Sequence, residues 1–424
     1  MVFERWIMLK MFLTAVATGH LVLGVMSLIP ICKSRLELAE EEYLCCLKKK
    51  GIITSCLGPF LLGVGMTLAG ACPGMVLAQV GAWVPNSIFT LLGCLLGALL
   101  YGLVASTVER LTQPKTPFIH HQVHKKLNKP FALLALPACC LLAVTVLLME
   151  LFLPYQDNLE HPEKLSYNIA ETIAWPPSVG GMIVGALQLP MVLVLKDTLG
   201  SSSSYVTVMS QWVVTSNLQR KFQYLAVRRT GVGNWWQVFY VSGGIVGGLS
   251  SSLASHSLAS SQGVGVFEAL CGGVVMLLGA RLAAGCTSGH GISGVGLLMW
   301  LSLLAVPCMF GGAIVTAFIM RASNGSLDRF VNETLGISCH PVILPSCHLA
   351  RDLAAGRDKL LFYSQPYLKS NFTRSELASV GPSTAATGSY IENSCTPTLA
   401  TPGGKGGGNS FGCWKVGEVV ETAR

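Results

Sequence analysis

Two stretches of this chain could do chemistry. The first is Gly63-Val-Gly-Met-Thr-Leu-Ala-Gly-Ala-Cys-Pro-Gly74, and the second is Gly279-Ala-Arg-Leu-Ala-Ala-Gly-Cys-Thr-Ser-Gly-His-Gly-Ile-Ser-Gly294. Each runs from an apolar segment through small residues to one cysteine, and then into a Gly-rich break. A thiol is a weak hydrogen-bond donor on a polarizable atom. When neutral, it can meet a sulphur-bearing anion without adding negative charge, so it suits such a substrate better than chloride or a sugar. The break stops the helix and frees backbone groups. The residues after it can begin a half-helix, whose N–H groups and positive dipole end attract an anion. Pro73 suits the first turn of such a helix, next to Gly74. Thr287 and Ser288 add hydroxyl donors. The plainer reading of Cys72 and Cys286 is tight packing where only a small residue fits.

The two stretches are related. Shifting the chain by 214 residues superposes Cys72 on Cys286, Gly65 on Gly279, Leu68 on Leu282, Ala69 on Ala283, Cys94 on Cys308 and Gly97 on Gly311. This is an internal repeat at fixed spacing. Other residues near the motifs keep more than one reading. His290 stands four residues after Cys286, as a pathway donor, a metal ligand with Cys72 and Cys286, or a histidine bonded to freed backbone. Arg281 lies inside an apolar segment, where it could attract an anion or pair structurally, for example with Glu268. Cys94 and Cys308 read as packing residues.

The elements that must hold these motifs are apolar. Charged residues make up 12% of the 424, against about a quarter in soluble domains. Hydrophobic residues reach 51%, and mean hydropathy is +0.55. A soluble enzyme and a disordered chain are excluded. The net charge of +8 sits mostly in short loops, which argues for the inner face of a membrane rather than for nucleic acid. Eight runs are long enough to span: Met11–Cys32, Gly51–Ala71, Ser87–Val108, Phe131–Pro154, Pro177–Lys196, Trp235–Ser255, Gly263–Gly285 and Leu297–Met320. The first has an alternative as a signal peptide. Leu199–Val214, with Ser201 to Ser204, reads as a half-helix or re-entrant piece.

The positive-inside rule places the loops at 33–50, 109–129 and 215–234 inside and the acidic loop at 155–175 outside. With both termini outside, the two motif copies are inverted in the membrane, the arrangement of transporters with interrupted helices. The expected fold is therefore an all-α polytopic membrane protein of about eight spans plus half-helices. Its regions are a first repeat at 1–130, an extra helix and acidic loop at 131–176, a second repeat at 177–320 and a polar, disordered tail at 321–424. That tail holds Cys339, Cys347, Cys395 and Cys413, and the glycosylation triplets at Asn324, Asn332 and Asn371.

At its two motifs the chain resembles the sulphur-transport (YeeE/YedE) family. Gly-Cys-Thr-Ser-Gly-His-Gly at 285–291 matches one half-type, and Ala-Gly-Ala-Cys-Pro-Gly at 69–74 matches the other. Gly185-Ala-Leu-Gln-Leu-Pro190 and Ser201 to Tyr205 are also similar. The likeness covers roughly residues 11–108 and 177–320. It implies an inverted-repeat permease, not an enzyme, for thiosulphate or a related anion. Cys72, Pro73, Gly74, Cys286, Thr287, Ser288, His290 and Arg281 would form its pathway, with no cofactor and no metal. Cys32 is the only residue placed for the further cysteine that some members use, and its surroundings do not match. The rivals are a persulphide relay enzyme and a thiol redox or metal sensor. The implied partners are the anion, the bilayer, and either a second copy or an intracellular sulphur acceptor. The expected location is the plasma membrane. Two departures stand out: a short first half with a charged loop at 33–50, and the extra span Phe131–Pro154.

Overall fold

The computed structural model describes residues 6–47, 50–112, 122–158, 172 and 174–335, with 158 and 323–335 as backbone alone. These all lie in the first of two units, residues 1–347. The tail cysteines, Asn371 and most of the acidic loop fall outside the described residues.

The helices are α1 (Ile7–Leu28), α2 (Pro30–Leu47), α3 (Ile52–Ala69), α4 (Met75–Gly81), α5 (Ser87–Thr112), α6 (Val123–Lys126) and α7 (Phe131–Phe152). They continue as α8 (Pro177–Ala186), α9 (Gln188–Pro190), α10 (Ser202–Met209), α11 (Ser216–Lys221), α12 (Gln223–Val227), α13 (Val232–Ala254), α14 (Val266–Ala283) and α15 (Trp300–Leu335). Among the described residues, seven helical segments are long and apolar enough to cross a membrane. The expected sixth span is α13. It has the length, at 23 residues, but its serines and glycines leave it outside the apolar set. The protein is an all-α, multi-pass membrane protein.

At the centre α3 and α14 cross backbone to backbone, and they run antiparallel. Gly58 meets Ala283, Leu62 meets Gly279, Gly65 meets Met276 and Ala69 meets Gly272. The 214-residue shift exchanges these pairs: Gly58 maps onto Gly272 and Ala69 onto Ala283. The geometry agrees with that exchange. A Cβ added at Gly58 would lie 2.5 Å from the Ala283 nitrogen, and one at Gly272 would lie 2.6 Å from the Ala69 nitrogen. Small residues allow this approach where lipid gives helices little hydrophobic reason to associate. α5 packs on α14 and α15 packs on α3, which completes the two-fold arrangement.

Three expectations need correction. The charged loop at 33–50 is mostly helix α2. Pro30 opens it at a position proline favours. Leu36, Ala39, Tyr43 and Leu47 then recur at helical spacing and are buried. Glu40 is buried as well, which pushes its carboxyl up, and Lys125 of the α6 turn sits 3.3 Å away in partial compensation. Secondly, the last helix does not stop near Met320 but runs to Leu335. Leu327, Phe330, Val331 and Leu335 keep a helical period through the polar composition. Thirdly, the missing counterpart of α13 in the first half is α1. Gly248 of α13 lies against Ala78 of α4, while Phe12 of α1 lies against Gly291 after the second break. α1 is thus an integral part of the bundle. Lys10 within it is buried and bonds Glu150 of α7 at 2.7 Å, and also the Leu153 carbonyl.

Residues of the three basic segments come together at one cavity. Lys50, Glu109 and Arg228 line it.

Gly58→Val and Gly272→Val each insert atoms into backbone, at about 1–3 kcal/mol of overpacking. Thermal unfolding of the detergent-purified protein should fall by similar amounts for both. Gly247→Ala, which faces open space, should not lower it.

Candidate functional site at the helix breaks

Both motif helices end in left-handed residues, Gly70 at φ +63° and Ala284 at φ +64°. The chain then turns back into the core. After the first break α4 begins at Met75, and after the second a π-helical turn spans Thr287–Gly294. Cys72 and Cys286 join the same apolar cluster, with Met66, Tyr205 and Met276.

Cys286 is almost fully buried. Its Sγ lies 3.2 Å from Ser288 Oγ and 3.5 Å from Ser201 Oγ. The backbone N–H groups of Ser201 and Gly289 also face it. Cys72 is half-buried, and its sulphur faces the N–H groups of Gly74 and Met75. Ser201 joins the two breaks, because a Cβ placed on Gly74 would lie 3.4 Å from its Oγ. Pro73 is held by its carbonyl, which accepts from Tyr205 Oη at 2.6 Å. Thr287 Oγ1 donates to Met66 Sδ at 3.1 Å.

The remaining predicted residues occupy two further positions. His290 sits behind the break. Its Nε2 donates to the Ala283 carbonyl at 3.0 Å, and its Nδ1 lies 3.0 Å from Ser302 Oγ. Tyr43 of α2 closes the network, with Oη 3.0 Å from Ser302 Oγ and donating to the Gly289 carbonyl at 3.1 Å. A carbonyl only accepts, so Nε2 carries the proton and the ring fits as neutral imidazole. Gly285 leaves room for the ring, since a Cβ there would lie 2.7 Å from it. Arg281 is buried at the other side and bonds Tyr224, Ser202 and Ser203 rather than Glu268. Cys94 is fully buried in the apolar cluster, as packing requires.

The structure adds Ser201, Tyr205, Tyr43 and Tyr224 to the site. Ser201 to Tyr205 is visible in the sequence as a family-like stretch. Tyr43 and Tyr224 carry no such signal, because each lies in a charged segment far along the chain from the motif it supports.

At each end of the crossing lies a cavity. One of about 80 Å³ touches Ala69, Gly70 and Gln79 beside the first break. The other, about 460 Å³, touches Arg281 and Ala284 beside the second. Ser201 lies near both Gly74 and Cys286, and its neighbour Ser202 accepts from Arg281. Two interrupted helices related by an inverted repeat, meeting near the centre of the bundle, are the features of an inverted-repeat membrane transporter.

The chain belongs to the sulphur transport family, which it matches over residues 1–315. It is also similar to the thiosulfate transporter TsuA of Escherichia coli (strain K12), at 23% identity over 278 residues, covering 62% of this chain and 73% of that protein.

With both ring nitrogens engaged, His290 acts as a brace. His290→Ala should leave Ser302 and the Ala283 carbonyl short of a partner, at about 1–3 kcal/mol. That loss should appear as a lower unfolding temperature in detergent. Cys72→Ala, at a half-buried site, should change it far less.

Proposed function

We propose that this protein is a permease for thiosulphate or a closely related sulphur-containing anion in the plasma membrane. The observation that carries the reading is the meeting of both breaks at Ser201, with one thiol on each side. The anion's terminal sulphur contacts the S–H of Cys72 and then that of Cys286. The N–H groups of Gly74, Ser201 and Gly289 and the hydroxyls of Ser201 and Ser288 replace the water it has lost. Pro73 and Thr287 fix the two turns, and Arg281 draws negative charge toward the second. His290 holds the break open from behind. The similarity to a thiosulfate transporter supports this choice of substrate.

One observation favours a persulphide relay as a second reading. Four donors surround Cys286 Sγ, an environment that also suits a thiolate. In that reading the thiolate takes the outer sulphur of thiosulphate, the S–S bond of the anion breaks, and sulphite leaves.

The test is uptake of ³⁵S-thiosulphate labelled in its outer sulphur by proteoliposomes. Cys72→Ala and Cys286→Ala should each cut uptake at least tenfold. Cys286→Ser keeps a donor and should retain part of the flux if the anion passes intact, whereas a relay loses all of it. No uptake by folded, inserted parent protein overturns the permease.

A further inference from the structure

Burying a charge is costly unless an opposite charge compensates it. Arg281 is 4% exposed, and every acceptor that it has is neutral. Its Nε donates to Tyr224 Oη at 2.9 Å, and its Nη1 to Ser202 and Ser203 Oγ at 3.2 and 3.1 Å. Among the described residues no carboxylate pairs with it, and Nη2 has no acceptor. Arg281 lines the 460 Å³ cavity. Across that cavity Arg228 likewise has no carboxylate partner among the described residues, and its guanidinium carbon lies 4.3 Å from the Tyr224 ring centre. One tyrosine thus aims two cations, the first by its hydroxyl and the second by its ring face.

We propose that this cavity is a second anion-binding station, which takes a small divalent sulphur oxyanion by its oxygen end on Arg281 and Arg228. A guanidinium edge matches the oxygens of such an anion better than it matches a halide. The volume is many times the ~30 Å³ share of one water, so the anion can enter partly hydrated. Ser202 and Ser203 adjoin Ser201, so the station is continuous with Cys286. An anion leaving the thiol by its sulphur end is met here by its oxygens. Glu42 and Glu109 share the walls and limit how tightly the anion is held, as release requires. The station's place in transport rests on the permease reading; its affinity for oxyanions does not.

Cys45 and Cys46 line the same cavity, which supplies a reporter independent of flux. The full chain, purified in detergent, is alkylated with N-ethylmaleimide. Modification of each cysteine is then tracked by mass spectrometry in sodium sulphate, in sodium thiosulphate and in sodium chloride of equal ionic strength. Sulphate and thiosulphate should each slow modification at Cys46 severalfold relative to chloride. Arg281→Gln should weaken that protection about tenfold, the loss of one charge-assisted hydrogen bond. If that variant does not fold, Arg228→Gln, at a half-buried site, carries the test with the same direction. Equal rates in sulphate and chloride, or protection that survives the arginine substitutions, would overturn the station. Protection in a parent that shows no uptake keeps the station and removes the permease, and uptake without protection does the reverse.

Discussion

The structure depends on one contact, the crossing of α3 and α14 with almost no side chain between them. Gly58, Gly65, Gly272 and Gly279 bring the two backbones together at the centre of the bundle. A bilayer offers little hydrophobic gain for joining two apolar helices, so close packing has to supply it. The crossing also fixes where each helix must stop. α3 ends at one end of the crossing and α14 at the other, so their breaks fall on opposite ends of one shared interface. The outer layer is set by the same contact: α5 on α14 and α15 on α3.

A broken helix in a membrane has to satisfy its freed backbone within the protein. Here the two halves do this for each other. The Pro73 carbonyl is taken by Tyr205, and the Gly289 carbonyl by Tyr43. The Leu199 carbonyl accepts from Ser293 Oγ at 3.0 Å. His290 and Ser302 brace the π-helical turn, and glycines at 285 and 291 make space for His290 and Phe12. The two breaks carry two thiols, several hydroxyls and N–H donors, with the Arg281 guanidinium near the second. That set has many donors and little fixed negative charge.

Much of this is legible in the sequence, because the physics of membrane helices is largely one-dimensional. Apolar runs locate the spans, Gly/Pro punctuation locates both breaks, and the 214-residue offset locates the pairing. The features that escape do so for a physical reason. Helix α2 carries charges on one side and buried apolar residues on the other, so average composition hides it. The extension of α15 to Leu335 is hidden by the polar composition of its last turns. Tyr43 and Tyr224 hold their places only through contacts hundreds of residues distant or between charged segments, and no local pattern announces them. His290 and Arg281 stand out in the sequence as unusual for their surroundings. Their bonding partners could come only from the fold: Ser302 and Ala283 for the first, Tyr224 and the serines for the second.

The dependence of each break on the opposite half has a consequence for how the protein is made. Residues 70–74 reach the membrane early in synthesis, with their backbone groups already freed from helix α3. The groups that meet them, Ser201 and Tyr205, come more than a hundred residues later, and α13, whose Ile245 lies against Gly81 of α4, comes later still. Through all the intervening synthesis the first hairpin has no permanent cover for its turn. It must be sheltered by the insertion machinery or held near the water layer until α13 arrives. The second break is under no such delay, because α1 and α2 are in place before it emerges. Two motifs that are equivalent in the finished bundle therefore have unequal histories, and the earlier one is the point at which assembly is most exposed.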